Sequence, residues 1–221
     1  MSSTNWSGYA LTGAKGSVTD VKASWIVPTV DCGKTSNAYA SFWTGIDGYS
    51  SGTVEQIGTD SDCQNGSPQY YAWFEFYPHP AFLINSMTIR PGDVISAEVT
   101  AGAKSAFTVS ITDGTQTFST TTKIPSADRS SAEWIIEAPF SGGVLPLADF
   151  VSVSFGEDYT RVSGTCFGTI GGVSQPIGPF SKGNVDQITM VTSNGTPKSQ
   201  PSDLSTKDSA SFTDSWVSAG P

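Results

Sequence analysis

The chain has 221 residues, 37% of them hydrophobic, which is enough for one sizeable core. Its 20 Asp and Glu outnumber 11 Lys and Arg, and the net charge of −9 argues against nucleic acid or an anionic membrane as partner. No apolar run approaches the roughly 20 residues needed to cross a bilayer.

Apolar positions recur with period two almost throughout, and no long stretch carries a helical stripe. Strands are expected at 6–12, 18–29, 38–47, 53–60, 69–78, 84–90, 93–101, 106–112, 116–123, 131–137, 148–155, 160–170, 186–193 and 209–217. Asp47-Gly48, Asn65-Gly66, Pro91-Gly92-Asp93, Asp113-Gly114, Ser141-Gly142-Gly143 and Asn194-Gly195 punctuate them with turn chemistry. Residues 196–208 read as a polar loop before the last strand. Many short strands among 23 Gly and 13 Pro indicate an all-β fold, an antiparallel two-sheet β-sandwich. The aromatic 69–78 strand suits a curved sheet with a concave cleft. Residues 1–221 are expected to form a single domain.

Cys32, Cys63 and Cys166 match no zinc or redox spacing. Cys32 and Cys63 flank a predicted hairpin and are the expected disulfide, leaving Cys166 as a buried free thiol. A disulfide implies an oxidising compartment, so the protein is expected to be secreted, with its targeting segment already removed. The scarcity of Lys and Arg also means that most carboxylates cannot be ion-paired. Protonating them should cost little stability, which suits an acidic medium and equally an ordinary acidic secreted protein.

His79, between Pro78 and Pro80, is the single histidine and reads as a loop residue. A Ser–His–Asp or histidine-based metal site is therefore improbable, and neither metal nor cofactor is expected. Carboxylates and amides are left to carry any chemistry. In the 69–78 strand, Tyr71, Trp73, Glu75 and Tyr77 share one face, an aromatic wall suited to a groove, while Tyr70, Ala72, Phe74 and Phe76 face the core. The same parity sends Ala132, Trp134 and Ile136 inward and Glu133, Ile135 and Glu137 towards the groove. Trp43 and Asp47 share that side. If Gln56 does too, Glu55 points into the core, and a bulge or a Lys or Arg partner is expected to explain it.

Asn5-Trp6-Ser7-Gly8-Tyr9, Trp43-Thr44-Gly45-Ile46-Asp47-Gly48, Gln56-Ile57-Gly58, Tyr71-Ala72-Trp73-Phe74-Glu75-Phe76-Tyr77-Pro78 and Ala132-Glu133-Trp134-Ile135-Ile136-Glu137 together resemble the glutamic peptidases, or eqolisins. The motifs stand in that family's order, and the resemblance runs from Asn5 to Trp216. It implies a concanavalin-like, jelly-roll-like sandwich and a pepstatin-insensitive acid endopeptidase, active as a monomer on polypeptides without a cofactor. By motif, Gln56 and Glu137 are the catalytic pair, Glu133 is a decoy, and Trp6, Trp43, Asp47 and Glu75 line or support the cleft. The stretch Ala138-Pro139-Phe140 departs from the acidic-aromatic sequence common in fungal members. Two rival readings remain: a glycoside hydrolase using Glu75 and Glu137, and a non-catalytic lectin-like module.

Overall fold

The computed structural model describes residues 1–181 and 183–220. In chain order the strands are β1 (Ser2–Ser3), β2 (Trp6–Thr12), β3 (Val18–Ile26), β4 (Ser41–Ile46), β5 (Val54–Gln64), β6 (Ser67–Tyr77), β7 (Phe82–Leu83), β8 (Val94–Ala101) and β9 (Ala106–Asp113). They continue with β10 (Gln116–Lys123), β11 (Ser131–Glu137), β12 (Ser152–Phe155), β13 (Phe167–Ile170), β14 (Val173–Pro176), β15 (Val185–Val191), β16 (Pro197–Pro201) and β17 (Phe212–Trp216). The α-helix α1 (Glu157–Thr160) is a single turn.

One sheet runs β15-β2-β11-β4-β5-β6-β7, antiparallel at every pairing. The other runs β10-β9-β8-β3, and the far edge of β3 is shared by β12 and β13. From β12 it continues through β17 and β16. Strand β15 joins the two, pairing with β2 through Val185–Ile188 and with β16 through Met190 and Val191. The core lies between the sheets. Phe42 meets Phe150 edge-on at 5.3 Å, and Tyr9 meets Phe212 at 4.9 Å. Buried indoles bond across the layers, Trp25 Nε1 to Thr59 Oγ1 at 2.9 Å and Trp134 Nε1 to the Lys22 carbonyl at 2.8 Å. Trp is tolerated in this core because each N–H finds a partner.

A two-residue turn sets the register that matters most. Asn65 and Gly66 both have positive φ, 51° and 76°, the requirement of the type I′ hairpin that joins β5 to β6. The turn pairs Gln64 with Ser67, and following both strands away from it brings Gln56 opposite Glu75.

Several expected strands are shorter or absent. Residues 84–90 form no strand; Phe82–Leu83 pairs with β6 instead, and Ile84 donates its N–H to the Ala72 carbonyl. Only 152–155 of 148–155 and 167–170 of 160–170 are strand, because Thr160 ends a helical turn and Cys166 takes a positive φ. The expected loop 196–208 opens with β16. The Cys32–Cys63 disulfide is present and Cys166 is a buried free thiol.

Glu55 departs from both explanations offered for it. Strand β5 keeps unbroken register past it, and no ion pair among the described residues includes it. It is fully buried on the core face, with neither carboxyl oxygen hydrogen-bonded. Burial, followed by the nearby Asp47 charge, pushes its pKa up to about 8. Glu133 is likewise buried and unpartnered, and burial raises its pKa well above the usual range. Asp214, held by the hydroxyls of Ser7 and Ser199, is pushed up by burial to about 7.

These acids hold their protons more tightly folded than unfolded. The stability they contribute is therefore complete below about pH 4, where unfolded carboxyls are protonated too, and is lost as pH rises through the folded values of about 7 to 8. Buried Lys198, its pKa lowered by burial, works in the opposite direction but is a single group. The urea midpoint should fall between about pH 4 and pH 8, and Glu55→Gln should flatten that fall. A midpoint that rises over the same interval would contradict this balance.

Candidate active site

The outer face of the first sheet is concave and holds a cavity of about 460 Å³. Gln56 and Glu137 both line it, as do Trp6, Glu75, Trp73, Tyr71 and Tyr77. The whole aromatic face read from the 69–78 strand is therefore on the cleft. Gln56 on β5 and Glu137 on β11 are separated by β4. Gln56 stands opposite Gly45, and Glu137 stands opposite Ser41, with Trp43 midway between.

Trp43 is fully buried beneath the cleft rather than on its surface. Residue 58, opposite Trp43 on β5, is glycine because the strands come close there: a Cβ would lie 2.4 Å from the Phe42 carbonyl oxygen and 2.6 Å from Trp43 Cβ. The ring itself lies over Gly45, where a Cβ would meet both Trp43 Cζ3 and Gln56 Cβ at 3.1 Å. The ring thus runs from beside Gln56 to Glu137, where Nε1 donates to Oε2 at 2.9 Å. Trp6 packs edge-on against it, with ring centroids 5.0 Å apart.

Asn5 Nδ2 donates to the other oxygen of Glu137 at 3.2 Å. The Asn5 carbonyl also accepts the Ala138 N–H at 2.8 Å, which fixes Asn5 to the strand end. Burial is the largest influence on the Glu137 carboxyl and pushes its pKa up to about 7. The Trp43 and Asn5 donors oppose the rise, and the Glu75 charge adds to it. Gln56 is held from one side only. Its Nε2 donates to Glu75 Oε2 at 2.6 Å, while Oε1 is buried without a partner. Burial also raises the Glu75 pKa.

Two expectations need correction. Asp47 does not line the cleft. It is buried, and its carboxylate accepts the N–H groups of Arg129 at 2.6 Å and Ser130 at 2.9 Å. It anchors the start of β11 and so supports Glu137 from a distance. Glu133 shares Glu137's parity but is sealed beneath the surface. Trp6 and Glu75 line the cavity.

Three residues were missed: Asn5, Asp60 and Asp62. Asn5 stands in the sequence reading only as part of a motif, yet its amide is committed to Glu137. Asp60 and Asp62 form a buried pair in the cleft wall. Tyr71 Oη lies 2.9 Å from Asp60 and 2.7 Å from Asp62, and Trp73 Nε1 donates to Asp60. Burial first, then the Asp62 charge, pushes the Asp60 pKa up to about 8, and burial lifts Asp62 to about 6. The signal was available, because Gln56, Gly58, Asp60 and Asp62 alternate onto one face.

The sequence pattern of the Peptidase A4 family matches residues 4–199. Aspergillopepsin-2 from Aspergillus niger is 34% identical over 179 residues, covering 69% of this chain. The chain spans 62% of that curated relative's length. Scytalido-glutamic peptidase bound to a transition-state analog inhibitor matches with a TM-score of 0.77 at 27% identity, covering 97% of this chain and 98% of that one. SCP-B, an eqolisin in complex with the tripeptide Ala-Ile-His, matches with a TM-score of 0.72 at 27% identity, covering 97% and 98%.

Both donors to Glu137 stabilise its charged form, so removing either should raise its pKa further. Asn5→Ala and Trp43→Phe should each move the Glu137 titration above about 7, measured by carboxyl-carbon NMR. A downward shift in Asn5→Ala would show that its amide does not serve the carboxylate.

Proposed function

This chain belongs to the Peptidase A4 family, and on that premise we propose that it is a pepstatin-insensitive acid endopeptidase working through Gln56 and Glu137. The observation that carries this reading is the state of the two side chains. Glu137 is braced by two donors, and Gln56, which lines the same cavity, has one amide hydrogen that Glu75 does not engage.

Glu137 as carboxylate takes a proton from a water that attacks the scissile carbonyl carbon. The Gln56 hydrogen not engaged by Glu75 donates to the oxygen that becomes negative. Glu137, now protonated, delivers that proton to the departing amide nitrogen. No metal or cofactor enters the scheme. Glu75 orients Gln56, and Trp43 and Asn5 orient Glu137. Family membership favours this scheme over sugar cleavage by Glu75 and Glu137 and over a lectin-like role. Substrates are polypeptides, and the working unit is a monomeric single domain. The Cys32–Cys63 disulfide supports a secreted enzyme.

The raised proton affinity of Glu137 puts a condition on activity in acid. Free, it is mostly protonated below about pH 7, so it is a scarce base there. Substrate binding supplies what is missing. The attacking water, held between the substrate carbonyl and Glu137, donates a hydrogen bond to the carboxylate and so favours its charged form. The acid limb of kcat should therefore lie at lower pH than that of kcat/KM, which reports the free enzyme and should sit near 7. Coincident limbs near neutrality would refute the acid part of the proposal.

With a denatured protein as substrate, Gln56→Ala should lose at least about a hundredfold in turnover, the usual effect of removing one oxyanion donor. Glu137→Gln should leave essentially none, while Glu133→Gln, outside the cleft, should keep turnover. A Gln56→Ala enzyme with most of its turnover would remove Gln56 from the mechanism.

A further inference from the structure

Asn5 and Trp6 line the cleft, and they also line a second cavity of about 350 Å³ on their far side. Met1, Ser2, Ser3, Gly48, Tyr49 and Ile188 complete its lining; no charged side chain among the described residues joins them, and the Met1 ammonium donates to the Gln187 carbonyl at 2.6 Å. Strand β1 pairs only with β15 among the described residues, so its other edge carries unpaired backbone groups. Uncharged side chains beside a free strand edge suit the backbone of an extended neutral peptide.

A hydrogen-bond chain connects this cavity with the proposed catalytic carboxylate. Ser3 Oγ donates to Asn5 Oδ1 at 3.2 Å, and Asn5 Nδ2 donates to Glu137 Oε1 at 3.2 Å. Ser3 Oγ also accepts the N–H of Trp6 at 3.2 Å, and Trp6 packs on Trp43, the other donor to Glu137.

We propose that the second cavity is a distal substrate subsite, which takes peptide residues beyond those held in the main cleft and uses their binding to fix Asn5 against Glu137. The inference rests on the peptidase reading. Binding energy from residues remote from the scissile bond then appears in kcat rather than only in KM. Ser3 and Asn5 are positioning residues, since they act through Glu137.

The test is a series of uncharged peptides with one scissile core, lengthened a residue at a time on either end. Wild-type kcat/KM should rise about tenfold or more on one end only, chiefly through kcat. Ser2→Trp, at an exposed position on the cavity wall, should bring the long-to-short ratio back near one. Ser3→Ala should keep the KM part of the gain and lose the kcat part. A wild-type ratio near one at both ends overturns the subsite, as does a ratio that Ser2→Trp leaves intact. If the short peptide is still cleaved, and Glu137→Gln abolishes that cleavage, the peptidase reading survives such a result. Cleavage of no peptide overturns both.

Discussion

The site depends on one indole packed against a glycine. Trp43 occupies the middle strand of the concave sheet, and the missing side chain of Gly45, two residues further along β4, leaves room for the ring between β5 and β11. Laid flat, it fills the floor, separates Gln56 from Glu137 and points its only polar atom at the carboxylate. Interiors are close-packed, so a Cβ at 45, 3.1 Å from both Trp43 Cζ3 and Gln56 Cβ, would press on the ring and on Gln56 together. Asp47 guards the same arrangement from below by tying Arg129 and Ser130 to the end of β4, which holds β11 in register.

A shortage of cations shapes the rest. The ion pairs among the described residues use Lys15, Lys22 and Lys34, and none reaches the cleft. Carboxyl groups are instead buried, and buried carboxyls without cations are tolerable only when protonated. The fold therefore goes further than the composition implied. Losing carboxylate charge does more than cost little; at Glu55, Glu133 and Asp214 it is what burial requires. The same desolvation acts on Glu137, so acid stability and the reactivity of the proposed base arise from one physical cause.

Much of this was legible because strands obey a period of two. Parity placed Tyr71, Trp73, Glu75, Tyr77 and Glu137 on the cleft side without knowledge of the pairing. It separates faces but not depths: Glu133 and Trp43 have the cleft's parity yet both lie under the surface. Errors in the elements have a similar origin. Residues 148–151 and 160–166 alternate like strands, but positive φ at Val151, Arg161 and Cys166 breaks the extended chain, a choice made by tertiary contacts. The polar run 197–201 became strand because β15 and β17 flank it with backbone partners, which local polarity does not forbid. Asn5 and Glu137 are far apart in sequence, so their bond was visible only through the pairing of β2 with β11.

The Asp60–Asp62 pair extends the argument from the floor to the wall of the cleft. Tyr71 has one hydroxyl proton and stands between two carboxyl groups. It can donate to one of them, so with both ionised the other would face its oxygen lone pairs and a like charge in a buried setting. A proton kept on the pair relieves both conflicts, which is why burial and the neighbouring charge lift Asp60 to about 8. Trp73 and Tyr71, the two rings that make this wall, are both bonded to Asp60. The aromatic surface offered to a substrate is therefore held by a buried acid pair that keeps a proton, because burial and the Asp62 charge outweigh the Tyr71 and Trp73 donors that favour the Asp60 carboxylate.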